Sequence, residues 1–214
     1  MTRSFFILSA LLGPLAAPEA RAAEPSVEMT ACTEATLFER GDALTAWTVS
    51  RALRVHFASC PEASCNRRAY VVAGDTVLAV PGPRGWACGV FPSAAHTPTV
   101  GWLPVQELVP APLPSGWGGA WLKTGAGFYL QEAAGRVTGR GKAWIANGLA
   151  SEGGAPEVVV GLVELDGSPV GNRLEQRSNT CHLRLDRVGP YLVARGPGCV
   201  EGDSEGFYVL GYGL

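Results

Sequence analysis

Residues 69–109 constrain this chain more than any other stretch: three apolar, β-rich runs follow one another, separated at short intervals by clusters of Gly, Pro and Asp. Such runs read as a small antiparallel sheet or barrel rather than a nucleotide-binding α/β unit. A turn at Gly74 and Asp75 opens a hydrophobic strand, Pro81, Gly82, Pro83, Arg84 and Gly85 turn the chain again, and a strand centred on Trp86 follows. Beyond a polar loop, Gly101, Trp102, Leu103 and Pro104 end the third run and Leu108 closes the stretch. A period of two places Trp86, Cys88 and Val90 on one face and Ala87, Gly89 and Phe91 on the other. The Trp86 face reads as the inner one, with Cys88 joined to Cys32, Cys60 or Cys65.

That order of parts resembles the bacterial SH3-like domains of exported proteins, in which a glycine lets the backbone turn tightly and the next tryptophan covers the barrel end. The resemblance implies a small SH3-like barrel over residues 27–110. It names a class of module rather than a ligand, because such barrels carry many different binding sites.

The amino terminus points the same way. Arg3, an apolar core over residues 5–17 and the small-x-small run Ala20, Arg21, Ala22 read as a secretory signal peptide over residues 1–22. The apolar run is short and broken by Gly13 and Pro14, so no stable membrane span is expected. Removing it takes away Arg3, Glu19 and Arg21 and leaves 15 basic and 18 acidic residues. A net charge of about −3 gives no general attraction for phosphate backbones, which excludes nucleic acid as a partner. An even set of six cysteines, Cys32, Cys60, Cys65, Cys88, Cys181 and Cys199, reads as disulfides in an exported chain. If each half folds on its own, Cys181 pairs with Cys199, while the first four allow three connectivities.

Taken in order, the chain offers a short strand over residues 36–38, an Arg40, Gly41, Asp42 turn, and an apolar patch at Trp47 and Val49. Arg-Gly-Asp is an adhesion tripeptide elsewhere, but here it reads as a turn that uses the freedom of Gly41. Leu53, Val55 and Phe57 alternate with Arg54 and His56, which puts three apolar side chains on one face of a strand. Alternating prolines at 110, 112 and 114 favour extended geometry without a sheet ladder, so residues 111–115 form a semi-rigid linker. The remainder, 116–214, reads as an antiparallel β-barrel or sandwich with strands at 128–131, 142–146, 157–165, 174–177, 182–185, 191–194 and 207–212. Its turns fall at Gly125, Gly135, Gly139, Gly148, Asp166 with Gly167, Gly171 with Asn172, and 196–198. The fold class is all-β throughout.

Residues 116–214 also resemble the small β-domain that follows SH3-like modules in some proteobacterial exported proteins without an assigned activity. The resemblance rests on Trp117 and Trp121, the Cys181, Leu183, Leu185 strand, the Tyr191, Leu192, Val193 strand, Cys199, and the aromatic-glycine finish at 207–212. It implies architecture only.

Enzyme chemistry finds little footing. A cysteine peptidase needs a thiol and a histidine in reach. Cys181 and His182 are neighbours on a strand and point to opposite faces, while His56 and His96 lie in the other half. His56, Cys60, Cys65 and Cys88 could ligate zinc, but they lack paired Cys-x-x-Cys spacing and disulfides are favoured in an oxidising compartment. Glu201, Asp203 and Glu205 alternate along a loop, as a calcium site or a glycosidase pair would require, and read as a solvated acidic loop. No phosphate loop, nucleophile elbow or His-Glu-x-x-His motif occurs.

Binding remains: a non-enzymatic module without cofactor or metal, periplasmic or secreted. Tyr70, Phe91, Trp86 and Trp102 in the first half and Trp117, Trp121 and Trp144 in the second supply aromatic surface, although small barrels bury most such rings. The ligand groove is placed at Tyr70, Trp86 and Trp102, with Arg67 and Arg68 beside it, and Arg84 in a flanking loop, to meet carboxylates of a cell-wall or envelope peptide. The competing reading is a protein inhibitor or assembly partner of an envelope enzyme such as a lysozyme, presenting the loops at 115–119 and 201–206.

Overall fold

The computed structural model describes residues 29, 31–51, 53–92, 97–112, 115–123, 125–146, 158–177, 181–196 and 205–211, with backbone alone at 143–146 and 158–162. The expected signal peptide at 1–22, His96, Pro114, Gly148, Cys199, Glu201, Asp203 and Tyr212 lie outside them, as does the side chain of Trp144. Among the described residues, two antiparallel sheets and one short α-helix make up the fold, which is all-β as the sequence pattern implies.

The helix, α1 (Glu34–Glu39), stands where residues 36–38 read as a strand. Local hydrogen bonding decides against the β-propensity of Thr36 and Phe38. The Thr33 hydroxyl accepts from the Thr36 amide at 3.2 Å, and Glu34 sits in the first turn, where the helix dipole favours a carboxylate.

The first sheet is built from β1 (Thr45–Val49), β2 (Val55–Ala58), β3 (Asn66–Val71), β4 (Thr76–Pro81), β5 (Trp86–Phe91), β6 (Thr99–Pro104) and β7 (Leu108–Pro110). Its order is β3-β2-β6-β5-β4-β1-β7. Val71 and Leu108 come from strands at opposite edges, yet both lie in one cluster with Val49, Val55, Phe57, Val77, Ala79, Ala87 and Leu103, so the sheet curls around its own core. Gly74, at φ +90°, makes the turn into β4. Leu53 takes no part in this core: it precedes β2 and is 91% exposed. Pro110 does enter a ladder, opposite Trp47, and the Ala111 amide donates to Ala46. β7 is an edge strand, where a missing proline N–H costs nothing.

The second sheet is built from β8 (Gly119–Lys123), β9 (Ala126–Ala133), β10 (Arg136–Ala146), β11 (Val158–Gly167), β12 (Arg173–Arg177), β13 (His182–Val188), β14 (Tyr191–Arg195) and β15 (Gly206–Gly211). Its order, β11-β10-β9-β8-β15-β14-β13-β12, is a meander closed back on itself through β8 and β15. The free edges meet where the Asp166 amide donates to the Gln176 side chain at 3.4 Å, so the barrel is nearly closed. Trp117, Trp121, Phe128, Leu130, Val137, Leu165, Leu174, Leu183, Leu185, Leu192 and Tyr208 fill it. β8 was not legible as a strand, and Gly139, Asp166 and Gly167 lie within strands rather than at turns. Gly139 is needed where it stands: a Cβ there would overlap the Tyr129 carbonyl.

β4 and β5 are buried on both faces. Val77, Ala79 and Ala87 point into the curled sheet, whereas Leu78, Val80, Cys88 and Val90 point away from it. The face carrying Trp86 and Cys88 is therefore buried, but against α1 and the second sheet rather than inside the first. Leu37 from α1 and Tyr191, Val193 and Phe207 from β14 and β15 complete that cluster. Phe38 stacks on Phe207 with centroids 4.7 Å apart, and the Tyr191 hydroxyl donates to the Thr76 carbonyl. Burial holds the Tyr191 phenol above its ordinary range.

Among the three connectivities the structure selects Cys32–Cys88 and Cys60–Cys65. Cys181 is also disulfide-bonded, and its expected partner Cys199 lies outside the described residues. Loop length ranks the two described bridges: the first joins residues 56 apart, the second residues 5 apart. Loop-closure entropy gives them about 4 and about 2 kcal/mol respectively. Replacing Cys32 and Cys88 by Ser is expected to lower the urea midpoint clearly more than replacing Cys60 and Cys65; equal losses would contradict the ranking.

Candidate functional site

The hairpin of β2 and β3 sorts its residues by face. Val55, Phe57 and Val71 are buried in the first core, which leaves Arg54, His56, Arg68 and Tyr70 on the outside. Tyr70 is 44% exposed, with the Arg54 guanidinium 4.6 Å from its ring centroid and the His56 ring at 5.7 Å. A guanidinium over a tyrosine face is drawn to the ring quadrupole and holds the ring in place.

β3 is the outer edge of its sheet, and every residue from Asn66 to Tyr70 is exposed. Its ladder to β2 is broken by a bulge: Tyr70 faces His56 and Asn66 faces Ala58, so four residues of advance on β3 oppose two on β2. Side chains pin the bulge. The Arg67 carbonyl accepts from His56 Nδ1 at 2.9 Å, and Arg67 Nη1 donates to the Val100 carbonyl at 3.1 Å. Among the described residues, none of Arg54, Arg67 and Arg68 forms an ion pair with a carboxylate. The nearby Asp75 accepts from the Val72 amide at 2.8 Å, and Glu62 pairs with Arg84 at 3.6 Å. The result is a basic edge with a tyrosine plane and backbone groups that no neighbouring strand uses.

The aromatic groove read from the sequence is only partly assembled. Trp102 is 1% exposed and packs with Cys88 and Leu78, so it is a core residue that no ligand touches. Trp86 is half-buried on β5, three strands from β3, about 14 Å measured along the sheet. Tyr70, Arg67 and Arg68 come together; Arg54 and His56, whose alternation with Val55 and Phe57 already placed them on the outside, complete the cluster.

Other candidates resolve differently. With Cys60, Cys65 and Cys88 in disulfides, the zinc set has no thiolates, and among the described residues no group of three metal-ligating side chains assembles. Cys181 is bridged, and His182 faces Glu175 at 3.4 Å. Glu205 is tied by its side chain to the Gly196 amide, and its carbonyl accepts from Lys123. At the other loop, Gly116 gives its carbonyl to Arg187. Arg187 lies inside the second barrel, 4.2 Å above the Trp121 ring, and burial brings its guanidinium down to about 10 against the opposing charge of Glu132.

Asp42, from the Arg-Gly-Asp turn, serves the fold. It accepts from Arg184 and from Arg173 Nη2 at 3.1 Å, on the outer face of β12 and β13. Buried Asp186 in turn accepts from Arg173, Arg184 and Arg195. Three arginines of the second sheet thus share two carboxylates, one of them from the turn between α1 and β1. The hydrogen bond and charge of Arg184, helped by Arg173, hold the Asp42 carboxyl below its ordinary value.

Searches against protein-family models, curated proteins and solved structures return no match for this chain. Among the described residues no helix is long and apolar enough to cross a membrane.

A carboxyl with a lowered folded pKa contributes stability above its unfolded pKa and loses that contribution as the pH falls through the folded value. Asp42 is largely exposed, so solvent screens the pair. Asp42→Asn is therefore expected to cost under about 1 kcal/mol at neutral pH and to flatten the fall in stability below pH 4. A steeper acid loss in the variant, measured by urea titration across pH, would contradict the assignment.

Proposed function

We propose that this chain is an exported, periplasmic, non-enzymatic binding protein that takes an extended, carboxylate-bearing peptide of the cell wall or envelope at the β2–β3 edge. The observation that carries the reading is the juxtaposition of three guanidinium groups without carboxylate partners among the described residues, a tyrosine face and an open strand edge. An extended peptide pairs its main chain with the free side of β3. Its carboxylates meet Arg54, Arg67 and Arg68 in the bidentate geometry that guanidinium favours, and its apolar or amide planes lie on Tyr70. The bridged cysteines and the SH3-like order of residues 69–109 support export and a binding role. The arginines also repel the same edge of a second copy, so they favour a carboxylate-bearing guest over self-association.

Retention on purified, insoluble peptidoglycan tests this. The mature protein is expected to sediment with it, less so as salt is raised. Tyr70→Ala combined with Arg68→Glu, both at exposed positions, should weaken retention and abolish binding of a soluble, glycan-free stem peptide in calorimetry, while leaving the urea midpoint nearly unchanged. Absence of sedimentation, or equal sedimentation of the folded double variant, would remove the proposal.

A further inference from the structure

The second barrel carries a concavity of about 810 Å³ on a part of the molecule distinct from the β2–β3 edge. Its residues fall into register rows. Gly119, Leu130, Gly139 and Leu165 are consecutive cross-strand partners through β8, β9, β10 and β11, and form the floor. One wall is the row Tyr129, Arg140, Glu164, with Lys142 beside it; the other is the row Gln131, Thr138, Asp166. The groove thus runs across the strands, about 14 Å long and about 7 Å between rows.

Chemistry narrows the occupant. Three of the four floor residues sit on strands paired on both sides, and the β11 edge that carries Leu165 faces β12, so the groove offers little free edge for an extended peptide to pair with. Recognition falls to side chains: a tyrosine ring 41% exposed with the Lys142 ammonium 5.7 Å from its centroid, an amide, a hydroxyl, and charges of both signs. Arg136 grips Asp166 through two bonds at 2.5 and 2.7 Å, and Arg140 stands 4.0 Å from Glu164, so the positive and negative groups nearly balance. That balance disfavours a polyanion or a strongly charged peptide. A neutral ligand with an apolar face and a rim of hydroxyl or amide groups matches it: polarised C–H groups lie on the negative ring face, and the rim exchanges hydrogen bonds with donors and acceptors on both walls.

We propose that this groove binds a neutral, β-linked oligosaccharide of hexose or N-acetylhexosamine units, with Tyr129 as the stacking residue. The proposal does not depend on the peptide site. Titration of the full mature protein with the β-1,4-linked tetramer of N-acetylglucosamine and, separately, of glucose, followed by calorimetry, tests it. At least one is expected to bind. Tyr129→Ala should weaken binding at least tenfold, Tyr129→Phe should retain it, and Thr138→Arg, which fills the groove, should abolish it, while Tyr70→Ala leaves it unchanged. The inference is overturned if neither tetramer binds at millimolar concentration, if Tyr129→Ala binds as tightly as the parent, or if Tyr70→Ala removes the binding.

Discussion

The structure depends on one packing constraint: the outward face of β4 and β5 is as apolar as the inward one and has to be covered. A curled seven-stranded sheet buries only its inner surface. Leu78, Val80, Cys88, Val90 and Trp102 would lie in water without α1 and strands β14 and β15 against them. Removing large apolar side chains from water is worth about 1.5 to 3 kcal/mol each, so this shared face stabilises the molecule more than any of its surface ion pairs does. The Cys32–Cys88 bridge ties the segment before α1 to the middle of that face, and the Phe38–Phe207 stack joins α1 to the second sheet.

Covering this face also defines what is left open. His56 and Tyr70 lie on the same outer surface as Ala58, Trp102 and Cys88, beyond the part that α1 and β14 to β15 cover. The uncovered remainder has arginines where the covered part has apolar residues. Polar contacts then fix the relative placement of the sheets. Asp42 enters the arginine cluster of β12 and β13, and the Arg195 guanidinium lies against Gly41, where a Cβ would overlap it. Geometry of this kind orients elements that burial has already brought together.

Much of this was legible in the sequence. Alternation and turn residues located the strands of residues 69–109, because Gly74, Asp75 and the proline-glycine cluster at 81–85 stop each run sharply. Several features were hidden for physical reasons. α1 is six residues long and contains β-prone Thr36 and Phe38, so a single cap at Thr33 outweighs propensity. The unbroken apolar run at 77–80 is the signature of burial on two faces, but only packing reveals that its second cover comes from residues 191–209. Trp102 illustrates the limit: aromatic content suggests a groove, and neighbours decide whether a ring faces a ligand or a core. Tyr70 and Tyr129 remain open because charged residues surround them. The Tyr129 groove was not legible at all, since it arises from the register of four strands.

Amide hydrogen exchange of Phe207→Ala beside the parent protein tests the shared face most directly. If that face joins the sheets as described, this substitution in β15 will lower protection in β4 and β5 of the first sheet as well as in β14. Loss of protection confined to the second sheet, with β4 and β5 unaffected, would show that each sheet is stable without the other and would contradict the account.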